Sequence, residues 1–388
     1  MQRGPTGDYT VTALGGEQVR AFVPWPLPPQ PPLVLDDALQ AQLERATLAV
    51  GRLDSIGMLV PDPGLLLYAY VRREAVVSSQ IEGTQSSLSQ LLMFEADEAP
   101  GVPLDDVLEV SNYVVALEHG LSRLAGGFPL CNRLLREVHE RLLASGRGAD
   151  KEPGVFRRSQ NWIGGTRPGN ARCVPPPPQQ VEPCLAALER YLNADVRTQP
   201  ALIQAALAHV QFETIHPFLD GNGRVGRLLI VLLLHARGLL AQPLLYLSLF
   251  FKQHRALYYE RLGAIREHGD WESWLAFFLE GVELTAHGAV DTTRRLLRLF
   301  EQDTALIRAG GARRTATLLA VYDVLRHRPV IALGPLAESA GVSFPTAAKA
   351  IEQLMALGLV EELTGGRRNR LFAYRRYLDI LNEDMEPL

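Results

Sequence analysis

A mainly helical fold, with one short β-hairpin inside it and a small helix-and-strand module at its C-terminus, is the class this sequence predicts. Three observations lead to it. From Asp36 onward, apolar residues recur at three- and four-residue spacing through most of the chain, the period of a helix with one buried face. A single stretch, 150–180, breaks that rhythm with crowded Gly, Pro and Arg. After the AGGARR segment at 309–314, short helical patterns lead into two strand-like runs about a Gly-Gly turn.

In chain order, residues 1–35 hold the cluster PWPLPPQPPL, where each proline removes a donor and constrains its predecessor, so an extended surface arm is expected. LDDALQAQLERATLAVGRLDSIG then reads as a helix with acidic residues in its first turn. A second helix is expected from Pro63 to near Gly83, and others over 87–96, 103–124 and 130–145. KEPGVFRRSQNWIGGTRPGNARCVPPPP suits a small β-hairpin between Phe156–Ile163 and Ala171–Val174. Helices resume over 179–195, 198–215, 227–238, 252–268 and 271–303. Beyond the linker, TLLAVYDVLRHRP, LGPLAESAGV and SFPTAAKAIEQLMALGLV make three short helices, and EELTGGRRNRLFAY two strands. That order, with Gly341 in the tight turn, is the layout of a winged helix-turn-helix. The expected division is 1–100 for the arm and first helices, 101–305 for a helical core and 312–388 for the winged module.

Composition narrows the function classes. The 388 residues are 47% hydrophobic and 21% charged with net charge −4, an ordinary soluble balance that argues against wholesale coating of nucleic acid or membrane. Cys131, Cys173 and Cys184 are too few and scattered for a disulfide framework and lack metal-ligand spacing, which suggests a reducing cytoplasm. MQRGPTGDYT has no apolar signal core. The most apolar run, Leu228–Leu234, is interrupted by His235 and Arg237, well short of the ~20 residues that span a bilayer. A soluble, cytoplasmic protein is expected.

The chemistry concentrates in HPFLDGNGRVGR at 216–227. Gly221, Gly223 and Gly226 let the backbone approach a ligand, and consecutive N–H groups opening into RLLIVLLLHARG form an anion nest at a positive helix end. Arg224 and Arg227 supply fork-shaped cations suited to phosphate oxygens. Asp220 is a hard oxygen ligand placed where Mg²⁺ would bridge phosphates, and His216 at the entrance can take a proton near neutral pH. A turn with arginines paired to surface carboxylates would account for a lone GxG, but hardly for this whole set.

This segment matches, position for position, the HPFx(D/E)GNGRxxR signature of the Fic family, and the chain resembles that family over roughly 15–300. Family members mostly transfer AMP from ATP to Tyr, Thr or Ser hydroxyls of proteins. The resemblance implies that His216 is the general base and that Asp220 binds Mg²⁺. It implies that Phe218, Gly221, Asn222 and Gly223 with the loop N–H groups surround the α- and β-phosphates, and that Arg224 and Arg227 hold the β/γ end. Pro217 and Phe218 would also anchor the loop to the core. The 150–180 hairpin would be a flap aligning the target by strand addition, with Ile163 and Gly164 as contact points. Tyr258 and Tyr259 are candidates for the adenine pocket. Trp271 and Trp274 read as core, and His209, His235 and His254 as incidental.

SSQIEG at 78–83 resembles the family's (S/T)xxxE(G/N) inhibitory motif, with Ser78 and Glu82 in the marked positions. The resemblance implies a self-inhibited protein in which Glu82 pairs with Arg227 and occupies the γ-phosphate position; a capped helix end is the plain alternative. The family also implies a homodimer. In the C-terminal module, ten Lys and Arg against five Asp and Glu between Arg313 and Tyr377 suggest DNA contact through Thr346, Lys349, Arg367, Arg368 and Arg370, or else a protein-docking module. Two further activities fit the same loop and module: hydrolytic removal of AMP, and a DNA-binding regulator whose core senses nucleotide.

Overall fold

The structure is a computed structural model and describes residues 3–14, 16–60, 62, 64–96, 104–194, 199–310, 315–365 and 370–383. Helices dominate it, and they arise where the apolar period and the local caps agree. Helix α1 (Asp37–Leu59) begins where the Asp36 carboxylate accepts the Leu39 N–H at 2.9 Å, an N-cap that satisfies one of the first turn's orphan donors. Helix α2 (Gly64–Ile81) is buried along nearly its whole length. A capping box starts α3 (Leu88–Glu95): Ser87 Oγ accepts the Gln90 N–H while the Gln90 side chain accepts the Ser87 N–H. Next come α4 (Leu104–Ala125), α5 (Asn132–Leu142) and α6 (Pro178–Leu192).

Helix α7 (Ala201–Ile215) is buried on every side, its polar residues Gln204, His209, Gln211 and Thr214 included, as a helix at the centre of a bundle must be. It packs on α8 (Asn222–Ala236), and α5, α6 and the N-terminal hairpin close around that pair. Helices α9 (Ser248–Gln253), α10 (Arg255–His268) and the long α11 (Trp271–Ala309) follow. The remaining elements are α12 (Thr315–His327), β3 (Val330–Ala332), α13 (Leu333–Ser339), α14 (Phe344–Ala356), β4 (Glu361–Glu362), β5 (Leu371–Ala373) and α15 (Arg375–Asn382). Their three strands form one antiparallel sheet in the order β3-β5-β4.

The contacts divide the chain into two compact units, Met1–Asp54 with Asn112–Ala286, and Ser55–Ser111 with His287–Leu388. In the second, α12, α13 and α14 pack on one another, and α2 packs against α3, α12 and α15. Tyr377 there donates to the Leu65 carbonyl at 2.9 Å. Asp303, 1% exposed, accepts from both Tyr374 and Arg376, so its buried charge is matched by a cation and a hydroxyl.

Four sequence expectations need correction. The first residues are not an extended arm: β1 (Gly7–Leu14) and β2 (Glu17–Pro24) form an antiparallel hairpin, and only the prolines after it are irregular. The alternation in YTVTAL and VRAFV on either side of two glycines was the signal for it. The 150–180 stretch holds one isolated bridge, Ile163 to Cys173, and a 3-10 turn at Pro168–Asn170 instead of a regular hairpin. Pro175 to Pro178 donate no N–H groups, so the pairing cannot lengthen on that side. Helix α8 starts at Asn222, within the presumed loop, which shortens that loop to His216–Gly221. Finally, β3 pairs with β5 as a third C-terminal strand. Arg367 and Arg368 lie outside the described residues.

Candidate active site

Two left-handed residues shape the turn between α7 and α8. His216 ends α7 with φ 49° and its N–H donates to the Phe212 carbonyl at 2.9 Å. For a residue with a Cβ this conformation costs roughly 1–2 kcal/mol, so the surroundings must hold it. Gly221, φ 75°, precedes α8, where glycine adopts the conformation without that cost. Asn222 then closes the loop on itself. Its Oδ1 accepts the Phe218 N–H at 2.8 Å and its Nδ2 donates to the Phe218 carbonyl at 2.9 Å, so the amide that resemblance assigns to phosphate shapes the loop here.

Phe218 is fully buried and anchors the turn. The His139 ring stacks on it with centroids 3.7 Å apart and planes 5° from parallel, and Phe156 lies 5.3 Å away. Such a stack adds about 0.5–1.5 kcal/mol to burial. His139 also fixes the backbone. The Gly154 N–H donates to its Nδ1 at 2.9 Å, so Nε2 carries the proton and donates to the Asp220 carbonyl at 3.0 Å. Burial holds its pKa down to about 4, so the imidazole is neutral at pH 7.

That shift makes a prediction. The unfolded chain protonates first, near pH 6.5. Stability from neutral His139 is therefore full above that value and lost as pH falls towards about 4, where the folded site charges. Urea unfolding at pH 7.5, 6 and 5 is expected to show a steeper acid loss for the wild type than for His139→Gln. Equal slopes would mean that His139 does not bear the linkage.

Asp220 lies at the mouth, its side chain 38% exposed, with Arg224 Nη2 3.8 Å away and the Gly221 N–H donating to Oδ1 at 2.7 Å. Arg224 and Arg227 sit in the first two turns of α8, 1% and 2% exposed. Two guanidiniums at a helix N-terminus reinforce its positive end, the electrostatic condition for binding a polyphosphate. Gly226 has a packing reason of its own, because a Cβ there would fall 2.2 Å from Glu213 Oε1.

The aromatic candidates divide. Tyr258 is 1% exposed; its hydroxyl bonds His209 Nε2 at 2.8 Å and its ring stacks on Phe251 at 4.6 Å, so it belongs to the core and offers no face to adenine. Tyr259 is half-buried, with the guanidiniums of Arg172 and Arg255 5.9 and 5.8 Å from its ring. Trp274 is buried and donates to the Ala206 carbonyl, and Trp271 is buried nearby in sequence. His209 is not incidental: its Nδ1 bonds the Gly226 carbonyl at 2.9 Å, pinning α8 beside the arginines. In the 150–180 segment, Ile163 holds the bridge to Cys173 and Gly164, φ 68°, turns beneath Arg172.

In the other unit, Ser78 is fully buried on α2. Glu82 is exposed one residue past that helix, its N–H donating to the Ser79 carbonyl at 3.0 Å. On α14, Lys349 is exposed and Thr346 half-buried with its hydroxyl 2.7 Å from Ser343 Oγ. Arg370 is ion-paired to Glu362, a contact that raises its pKa and occupies part of its guanidinium.

The site is thus that of a helical protein with two buried arginines at a helix N-terminus, beside a carboxylate and a left-handed histidine. Residues 40–122 match the model described as "Fic/DOC family N-terminal", and 129–234 match "Fic/DOC family". The chain thus carries a Fic/DOC N-terminal region and a Fic/DOC domain. It is 30% identical over 208 residues to "Protein adenylyltransferase Fic" of Drosophila erecta and 31% to that of Drosophila melanogaster. Each match covers 53% of this chain and 39% of the relative, so the chain aligns with well under half the length of these proteins. Among solved structures, a Fic family protein from Desulfovibrio desulfuricans G20 superposes with TM-score 0.57 at 22% identity, over 89% of this chain and 98% of that one. Fic-1 (residues 134–508) from C. elegans gives 0.51 at 22%, over 66% and 73%. At such identities these structures speak to the fold.

Proposed function

We propose that this protein transfers AMP from ATP to a hydroxyl of a protein target, with His216 as the base. The observation that carries the reading is the intact turn itself: a left-handed histidine, an exposed carboxylate and two buried arginines within the span from the end of α7 to the second turn of α8. The target oxygen attacks Pα and its proton passes to His216. The bond from Pα to the bridging oxygen breaks, and pyrophosphate leaves. The protein's share is positioning, charge neutralisation and one proton acceptor. Arg224, Arg227 and the α8 N–H groups hold the polyphosphate.

Among the described residues no cluster of three or more His, Cys, Asp or Glu could hold a metal unaided. One exposed carboxylate does suit Mg²⁺, which takes one or two protein oxygens and fills its octahedron with phosphates and water. Asp220 would hold it, and the ion would neutralise phosphate charge.

Incubation with ATP labelled at the α-phosphate, followed by mass spectrometry, tests the reading. An added AMP mass on the chain or on a candidate target supports transfer. No label on any protein sinks it.

For the flap, the exposed Gly164 beside the bridge that Ile163 makes to Cys173 supports target alignment by main-chain hydrogen bonds. Ile163→Pro removes the N–H that donates to the Cys173 carbonyl at 2.8 Å. The expected result is reduced target modification with ATP binding unchanged. Loss of both together would leave the flap only a structural role.

The motif at Ser78 and Glu82 supports inhibition by Glu82 acting on Arg227. The order of α12, α13, α14 and the antiparallel strands supports a winged helix-turn-helix, with exposed Lys349 the best-placed cation on α14 for a phosphate backbone. No helix among the described residues is long and apolar enough to cross a membrane.

A further inference from the structure

We infer that Arg157 is the positioning residue that couples the flap to the catalytic turn: one buried guanidinium holds both roots of the flap and the carbonyl of His216. Arg157 is 2% exposed. Its Nε donates to the His216 carbonyl at 2.9 Å and Nη2 to the Ile215 carbonyl at 3.3 Å. The same Nη2 donates to the Pro176 carbonyl at 2.6 Å, and Nη1 to the Ser159 carbonyl at 3.3 Å. Its own N–H donates to the Pro217 carbonyl at 2.9 Å. Ser159 and Pro176 are where the flap leaves and re-enters the core, so a single rigid fork spans entry, exit and catalytic turn.

Among the described residues no carboxylate is paired with this guanidinium. The acceptors are carbonyls, two of them at the end of α7, where the helix macrodipole is negative and a cation is stabilised. Burial lowers the pKa only to about 10, so Arg157 is charged at neutral pH. Neighbouring amides extend the stitch: Gln160 Nε2 donates to the Pro175 carbonyl at 2.8 Å and Asn161 Nδ2 to the Phe218 carbonyl at 3.2 Å.

The consequence follows from His216's backbone. Its left-handed conformation is unfavourable in isolation, and the hydrogen bond to its carbonyl is one contact that holds it. Because that donor also holds the flap roots, a target strand that orders the flap also orders the base. A plain structural plug would stabilise α7 without linking the two.

The inference rests on His216 as the base, and its test separates the two questions. Arg157→Met keeps the apolar stem and removes the fork; Arg157→Lys keeps the charge but reaches fewer acceptors. In the Met variant the expected kcat for AMP incorporation is down on the order of 10²-fold, the penalty of a misplaced catalytic group, with KM for ATP unchanged. The Lys variant is expected to recover part of the rate. Hydrogen exchange supplies the second readout: amides of Ile163 and Cys173 in the flap and of Phe218 in the turn are expected to speed up together. Those of Leu228 to Leu234 in α8 should stay as in the wild type.

Faster exchange in the turn without the flap overturns the coupling, and so does loss that extends into α8 in the Lys variant, or a fall in kcat matched by a rise in KM for ATP. A wild type that incorporates no AMP would remove the proposed function, and the exchange pattern would still decide whether the flap and turn are linked. If the Met variant does not fold, the Lys variant decides by the same measurements.

Discussion

His216→Ala is expected to bring AMP incorporation to background while ATP binds with wild-type affinity. On the proposed reading the nucleotide is held by other groups: the α8 N–H groups, and Arg224 and Arg227, which are buried in the first two turns of that helix. His216 caps α7 at the other end of the turn from α8, and on the proposed reading it would contribute a proton acceptor and no fixed charge to the phosphates. A general base contributes about 10²–10⁴-fold, enough to take a slow protein-modifying reaction below detection. Alanine keeps the Phe212 hydrogen bond made by the backbone N–H, so the turn should survive. The measurement is the initial rate of label transfer from α-labelled ATP, with nucleotide affinity by calorimetry alongside. Undiminished self-modification would remove His216 from the mechanism; lost ATP binding with lost transfer would make it a binding residue.

Glu82→Gly is expected to move the rate the other way, by roughly 10²-fold or more if a carboxylate that restrains a catalytic arginine is removed. The position tolerates the change. Glu82 follows the last residue of α2 and is exposed, and its main-chain N–H donates to the Ser79 carbonyl, a bond that glycine keeps. Arg227 is 2% exposed, and a charge acting on so buried a cation is little screened by water. On the proposed reading, releasing that arginine would restore a cation to the γ-phosphate and orient ATP for attack at Pα. The double change Glu82→Gly with Arg227→Ala should be slow again, because the arginine is itself needed. Initial rates for the wild type, the single variant and the double variant decide it. A single variant no faster than wild type would reduce SSQIEG to a capped helix end.

What was legible in the sequence was the chemistry carried by contiguous residues. His216, Asp220, Arg224 and Arg227 were named from their spacing in one short segment, and the structure places all four at one turn. The helices were legible for a related reason, since their periodicity and caps are local, as at Ser87 with Gln90. The N-terminal hairpin was hidden because its short alternating strands precede a proline run that reads as an arm.

The supports of the site were not legible. His139 binds the Asp220 carbonyl across 81 positions, Arg157 the His216 carbonyl across 59, and His209 the Tyr258 hydroxyl across 49. In sequence none of the three differs from a polar residue that faces solvent: Arg157 stands beside Arg158 in a loop, and His139 and His209 share their helices with other polar residues. Tyr258 shows the reverse error: an aromatic beside a catalytic helix suggested a nucleotide face until packing against Phe251 and Trp274 closed it. By itself the sequence picked out the groups proposed to do the chemistry, because a binding turn needs particular residue types at fixed short spacing. Only the tertiary structure decided which groups hold that turn in place. A buried donor must find its acceptor wherever the fold brings one, and no spacing rule along the chain records that distance.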